Sequence, residues 1–200
     1  MLKKITGVAL VTTTTLLALT PQQAEIKPRV SLQQSEMIWN SSSKTEAMDS
    51  PDVQVPVTLV NTIDGDTIKV RVNGKLETVR YLLIDTSESK KPDMCVQPYA
   101  REAYARNNEL VKGGTITIEW ENGRTRDSYG RLLAYVFVDG KSVQETLLKE
   151  GFARVGFIIE PPYKYLDLFR EDERIAKRRK LNIWSRPGFV TKWGFNGCVQ

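Results

Sequence analysis

Asn73 and Gly74 stand between two stretches that alternate apolar and polar residues, and no other feature of the 200-residue chain narrows its fold as much. In that setting an Asn-Gly pair forms a two-residue hairpin turn, because both residues tolerate positive φ and the turn's twist matches that of the flanking strands. Before the pair, Ile68, Val70 and Val72 alternate with Thr67, Lys69 and Arg71, the pattern of a half-buried strand. After it, Leu76 to Ile84 is expected to return as one continuous partner strand. Val57 to Val60 leads in through the Asp64-Gly65-Asp66 turn, Thr115 to Trp120 is β-branched and alternating, and Leu132 to Val138 is an apolar run closed by Asp139-Gly140. Roughly five strands are too few for a sandwich and suit a small barrel.

Three helices are predicted. Pro98 to Val111 sets Ala100, Ala103, Tyr104, Asn107, Leu110 and Val111 on one stripe and stops at Gly113-Gly114. Ser142 caps a short helix through Val143, Leu147 and Leu148 that ends at Gly151. Tyr163 to Lys180 carries Tyr165, Leu168, Phe169, Ile175 and Ala176 at helical spacing, a stripe for core packing. Strands first, with helices inserted between and after them, give an α+β fold, a five-stranded OB-fold β-barrel with three helices.

The barrel would occupy residues 56–185. Ahead of it, residues 1–24 open with Lys3 and Lys4 and continue as an apolar, threonine-rich run from Ile5 to Leu19, which reads as a secretory signal peptide. That run is shorter than the ~20 residues a spanning helix needs, so the chain is expected to be secreted, with retention at the cell surface left open. Residues 25–55 are polar, punctuated by proline and acidic on balance, and are expected to be a disordered linker. Without signal and linker, the domain retains the chain's whole formal charge of +5. The only two cysteines, Cys95 and Cys198, are expected to form a disulfide in an exported chain. Such a bridge would tie back the tail, 186–200, which offers little apolar surface, and contribute at most ~4 to 5 kcal/mol in the chain-entropy model.

The chain has no histidine. Histidine triads, a histidine general base and zinc–histidine sites are therefore excluded, and hydrolysis would have to use carboxylates, Arg, Lys, Tyr or a hard metal. Polar groups concentrate where sheet is expected: Asp64 and Asp66, then Arg80, then Asp85, Thr86, Ser87 and Glu88. Short carboxylates beside a glycine are ordinary turn formers. The Asn73-Gly74 hairpin, however, folds Asp64 and Asp66 back toward Asp85 and Glu88. Four carboxylates at one barrel mouth repel one another unless a cation sits among them, and oxygen donors suit Ca²⁺ or Mg²⁺. Arg80, next to an apolar run, needs a carboxylate or phosphate partner, and Arg131 ends the turn Asp127-Ser128-Tyr129-Gly130-Arg131. Two arginines, a cation and a spare carboxylate are the parts of phosphoryl transfer; Glu88 is the best-placed base by type, and Arg131 as a plain strand-end charge is the alternative.

From about Pro56 to Ser185 the chain resembles the staphylococcal nuclease (thermonuclease) family. The resemblance rests on Ile63-Asp64-Gly65-Asp66-Thr67, Arg80-x-x-x-x-Asp85-Thr86-x-Glu88, Asp127-x-Tyr129-Gly130-Arg131, Leu133-Ala134-Tyr135 and Leu181-Asn182-Ile183-Trp184-Ser185, in order. It implies an OB-fold nuclease that uses Ca²⁺ to cut DNA and RNA and leaves 3′-phosphates, working as a monomer without a lasting membrane partner. By motif position, Asp66, Asp85 and the Thr86 carbonyl would hold Ca²⁺ with Asp64 in the outer shell. Glu88 would be the general base, Arg80 and Arg131 would act on the phosphate, and Tyr129 and Tyr163 would flank the nucleotide. Ser87 replaces the family's proline, Ser128 a lysine, and Phe157 and Ile159 two tyrosines. A catalytically inactive OB-fold binder of single strands is the competing reading, and a carboxylate-pair glycosidase leaves both arginines without a role. Lys177-Arg178-Arg179-Lys180 is expected to be a solvated basic face rather than a dedicated nucleic-acid patch.

Overall fold

A computed structural model describes residues 53–89, 95–159 and 161–199. The expected signal peptide and nearly all of the expected linker lie outside them. The strands β1 (Val55–Asp64), β2 (Thr67–Val72) and β3 (Lys75–Tyr81) come first. At the turn between β2 and β3, Asn73 has φ 48° and Gly74 φ 79°, the two positive values that the hairpin requires. Ile68, Val70 and Val72 are buried, as their alternation predicts, while Arg71 between them is exposed.

Closure of the barrel depends on two further strands, β5 (Ile116–Glu119) and β6 (Leu132–Val138). The order is β3-β2-β1-β5-β6, and β6 then pairs in parallel with β3, Leu133 opposite Arg80, which completes a five-stranded closed ring. β1 serves both its neighbours by bending. Val55 to Val57 pair with β5, Thr58 to Asp64 pair with β2, and register shifts after Leu59 and Thr62 supply the extra twist. Inside lie Val79, Tyr81, Ile118, Ala134 and Val136, each at most 1% exposed, while Tyr135 is buried on the opposite face against Tyr165 and Phe169. This is the expected α+β OB-type barrel.

One predicted strand is broken. The run Leu76 to Ile84 is not continuous: β3 stops at Tyr81, Leu82 and Leu83 turn, and β4 (Ile84–Thr86) leaves the barrel to pair with β8 (Ala153–Val155). Leu83 has φ 63°, a left-handed conformation that costs a non-glycine residue roughly 1–2 kcal/mol. The turn is held by backbone bonds from Leu82 to the Ala134 carbonyl at 3.0 Å and from Gly156 to the Leu83 carbonyl at 2.9 Å. Its effect is to carry Asp85 and Thr86 sideways across the barrel mouth.

Helix α1 (Ala100–Lys112) buries Ala100, Ala103, Asn107 and Val111, with Tyr104 and Leu110 half-buried beside them. After the two-residue β7 (Lys141–Ser142), α2 (Val143–Lys149) begins at Ser142, whose Oγ accepts from the Glu145 N–H at 3.2 Å. Helix α3 (Leu166–Arg178) is shorter than predicted and turned slightly: Leu166, Phe169, Asp172 and Ala176 are buried, whereas Leu168 is 43% exposed. The basic run at its end behaves as a solvated face. Lys177 pairs with Glu173 at 2.7 Å and lies over the Trp184 ring, and Arg178, Arg179 and Lys180 are exposed.

The tail buries more than its composition suggests. After a 3₁₀ turn (Asn182–Ser185), β9 (Val190–Thr191) and β10 (Gly194–Phe195) form a small hairpin. Phe189 is 4% exposed and packs between Tyr99 and Phe195, at ring distances of 5.8 and 5.4 Å. Cys95 and Cys198 are joined, as expected.

Gly65 is the point where the β1–β2 turn meets both β4 and α1. A Cβ there would stand 2.6 Å from Thr86 Oγ1 and 2.9 Å from the Ala103 Cβ. Gly65→Ala is therefore expected to destabilise the domain by about 1–3 kcal/mol, measured by urea unfolding, through overpacking alone. An unchanged midpoint would mean that the turn has room to shift.

Candidate active site

Asp66, Arg80, Asp85 and Thr86 meet at one mouth of the barrel because the β2–β3 register sets Thr67 opposite Arg80 and the Leu83 turn swings β4 over them. The Arg80 side chain, 10% exposed, is the hub. Its Nη2 lies 3.1 Å from Asp66 Oδ2 and 3.5 Å from Asp85 Oδ1, while its Nη1 donates to the Tyr81 and Ile84 carbonyls at 2.9 and 2.8 Å. One guanidinium thus neutralises two carboxylates and fastens both ends of the Leu82–Leu83 turn. A buried charge this costly to desolvate persists only with such complete pairing.

Asp66 is equally committed. Its Oδ2 accepts from the Thr86 N–H and hydroxyl at 3.0 and 3.1 Å, and its Oδ1 from the Thr67 hydroxyl at 2.9 Å. Asp64 Oδ1 accepts from the Asp66 N–H at 3.1 Å, and the Asp64 carbonyl accepts from Asn107 Nδ2 of α1 at 2.8 Å. Burial, then the neighbouring Asp66 carboxylate, pushes the Asp64 carboxyl up to about 7. Burial and Asp66 also raise Asp85, and Arg80 and Arg154 pull it back only in part.

Arg154 is a site residue that the sequence did not reveal. From β8 it sends Nε and Nη2 to the same oxygen, Asp85 Oδ2, at 2.9 and 2.8 Å, while Oδ1 faces Arg80. The only local sign is an arginine between Ala153 and Val155 in a short apolar stretch bounded by Gly151 and Gly156. Glu88 is half-buried just beyond β4, and its backbone is gripped by Gln97. Ser87, between Thr86 and Glu88, is 1% exposed, and its hydroxyl has no hydrogen-bond partner among the described residues.

On its other side Arg80 lines a cleft of about 230 Å³ together with Tyr129, Arg131, Phe157, Ile159 and Tyr163. Both arginines and both tyrosines singled out from sequence therefore share one cavity. Phe157 packs under the Arg80 guanidinium at 5.1 Å, and the Tyr163 hydroxyl accepts from the Ile159 N–H at 3.2 Å. Across the cleft, Asp127 organises the turn. Its Oδ1 accepts from the Tyr129 and Arg131 N–H groups, both at 2.9 Å, and its Oδ2 from Arg131 Nε at 2.6 Å. Burial raises the Asp127 carboxyl, but the bonds from Arg131 outweigh it and hold the group below the ordinary carboxylate range. Arg131 in turn lies 5.5 Å over Tyr129, whose ring is 84% exposed.

Among the described residues no three Asp, Glu, Cys or His side chains already stand in metal-holding geometry, since Arg80 and Arg154 occupy the carboxylate oxygens of Asp66 and Asp85. The donor chemistry nonetheless suits a hard cation. Asp64 and Asp85 are both raised by burial and then by Asp66, and carboxylate and carbonyl oxygens are the donors that such cations take.

Residues 78–186, from within β3 to just before the tail hairpin, match the family described as staphylococcal nuclease homologue. Endonuclease YncB of Bacillus subtilis (strain 168) is 64% identical over 146 residues, which are 73% of this chain and 69% of that protein. SPbeta prophage-derived endonuclease YokF of the same organism is 62% identical over 146 residues, and the matched stretch spans 49% of its length. Thermonuclease of Staphylococcus hyicus is 38% identical over 127 residues, covering 64% of this chain and 74% of that protein.

The raised Asp64 carboxyl makes a signed pH prediction. In metal-free protein its folded pKa of about 7 lies above the ordinary value of 3.8, so the folded state holds the proton more tightly and loses stability as pH rises through that interval. Asp64→Asn removes the cost. Compared with wild type in chelator, the variant is expected to gain a few kcal/mol between about pH 4 and 7, at ~1.4 kcal/mol per pKa unit, and no more above that. Urea unfolding across the range checks this, and a constant difference would show that Asp64 is ionised throughout.

Proposed function

Because this chain belongs to the staphylococcal nuclease family, we propose that it is a secreted nuclease that uses Ca²⁺ to hydrolyse phosphodiester bonds of DNA and RNA, leaving 3′-phosphates. The observation that carries the reading is Arg80. It lines the cleft with Arg131, Tyr129 and Tyr163 on one side and pairs with Asp66 and Asp85 on the other, so one charged side chain joins the binding surface to the carboxylate cluster.

In this reading the cleft holds a strand with its scissile phosphate against Arg80 and Arg131. Arg131 is presented by the Asp127 turn, and Tyr129 offers an exposed ring for base or sugar contact. Water attacks phosphorus as Glu88 takes its proton, the bond to the 5′ oxygen breaks with that oxygen taking a proton from solvent to leave as a hydroxyl, and the phosphate stays on the 3′ side. Negative charge growing on the phosphate oxygens is neutralised by the two guanidinium groups, whose positions are fixed in advance. Asp66, Asp85 and the Thr86 carbonyl would hold Ca²⁺, with Asp64 outside them, and the ion would supply further charge stabilisation. Phe157 and Ile159 keep that wall of the cleft apolar where tyrosines would bring hydroxyl groups, so contacts there rest on packing.

Cleavage of single-stranded DNA is expected in Ca²⁺ and is expected to stop in chelator; full activity in chelator would remove the metal from the scheme. Glu88→Gln should lower kcat by roughly 10²- to 10⁴-fold with an unchanged melting temperature. Tight binding of single strands without any cleavage by wild type would instead favour the inactive OB-fold binder.

A further inference from the structure

The tail lies beyond residues 78–186, the stretch matched by the family, yet it is fastened to the segment that carries Glu88. The Cys95–Cys198 bridge is one tie, and the Val199 N–H donates to the Val96 carbonyl at 2.7 Å. Gln97 is the third. Its Nε2 donates to the Phe195 carbonyl in β10 at 3.1 Å, while its Oε1 accepts from the Glu88 N–H at 2.8 Å and its own N–H donates to the Glu88 carbonyl at 3.0 Å. Gln97 itself is 4% exposed. Phe195 also lies 5.7 Å below Arg154, whose guanidinium holds Asp85.

Glu88 needs such a hold because β4 ends at Thr86, opposite Ala153, and sheet pairing goes no further along the chain. A general base must stand within ~3 Å of the proton it removes, and displacement by ~1 Å can cost ~10²-fold in rate. Gln97 grips both backbone groups of Glu88. The far end of its amide is anchored in a hairpin that a covalent bridge keeps in place.

Building on the nuclease reading above, we propose that Gln97 is a positioning residue for Glu88, and that the C-terminal hairpin, locked by Cys95–Cys198, is the anchor that keeps it aimed. The tail is then part of the active site without touching substrate. A merely structural amide predicts something different: lower stability, with turnover unchanged while the protein remains folded.

The test uses the full chain with single-stranded DNA and saturating Ca²⁺, at a temperature below every variant's melting point. Gln97→Ala is expected to lower kcat by about 10- to 100-fold with KM within about threefold of wild type, and to accelerate hydrogen exchange at the Glu88 amide. Replacing both cysteines by serine should give a smaller loss of the same kind. Because the two changes act through one clamp, the triple variant should be no slower than Gln97→Ala alone. Unchanged kcat in folded Gln97→Ala, a loss confined to KM, or losses that multiply in the triple variant would each overturn the proposal. If Gln97→Ala does not fold, the cysteine variant decides, with unchanged kcat and unchanged Glu88 exchange counting against it. Should wild type fail to cleave DNA, the nuclease reading falls; Glu88 amide exchange then decides the clamp by itself, and unaltered exchange would overturn it.

Discussion

Everything at the barrel mouth depends on one buried guanidinium. Arg80 satisfies two backbone carbonyls that the Leu82–Leu83 turn would otherwise leave open, and with the same planar group it neutralises Asp66 and Asp85. Neither job is separable from the other. The turn brings Asp85 within reach of Arg80, and Arg80 makes the turn, with its left-handed Leu83, affordable. A lysine would not replace it: a single ammonium lacks the planar fork that serves two carbonyls and two carboxylates at once.

The same mouth crowds Asp64, Asp66 and Asp85 into a poorly solvated space against Arg80 and Arg154, and burial, followed by the neighbouring Asp66 carboxylate, raises the Asp64 and Asp85 carboxyls. In the proposed nuclease, Asp66, Asp85 and the Thr86 carbonyl would hold Ca²⁺ at this point of the mouth. The cleft that would do the recognising in this proposal is lined by Tyr129, Arg131, Phe157, Ile159 and Tyr163, and Arg80 lines it while pairing with Asp66 and Asp85.

How legible was this in the sequence? The Asn73-Gly74 turn was plain because positive φ at two successive residues is a local demand that few residue types meet. The meeting of Asp66, Arg80 and Asp85 was legible from the hairpin that folds their strands together, whereas Tyr129, Arg131 and Tyr163, which share the cleft with Arg80, were singled out by motif position rather than by any strand pattern. The break at Leu83 was not, because Leu82-Leu83-Ile84 has the composition of a strand and only bonds from Arg80, Ala134 and Gly156 make it turn. Leu168, placed on the expected core stripe, is exposed while Asp172 is buried, because a small rotation of α3 alters which residues face inward without changing the helical pattern. Gln97 and Arg154 were invisible for a stronger reason: the anchor of Gln97 at Phe195 and the partner of Arg154 at Asp85 lie 98 and 69 residues away, and nothing local marks a buried amide or arginine as a clamp.

Closure through the β3–β6 pairing also governs how the protein behaves in a crowd. An open sheet ends in a row of unsatisfied backbone groups that invites another chain to add a strand. Here the long strands β1, β2, β3, β5 and β6 each have neighbours on both sides within the ring. The strands left at an edge among the described residues are β7, β4, β8, β9 and β10, none longer than three residues. Strands that short offer too few rungs to template a ladder, which leaves the partly paired lengths of β1 and β3, where pairing covers only Val55–Val57 with β5 and Val79–Tyr81 with β6, as the longer runs of open backbone among the described residues.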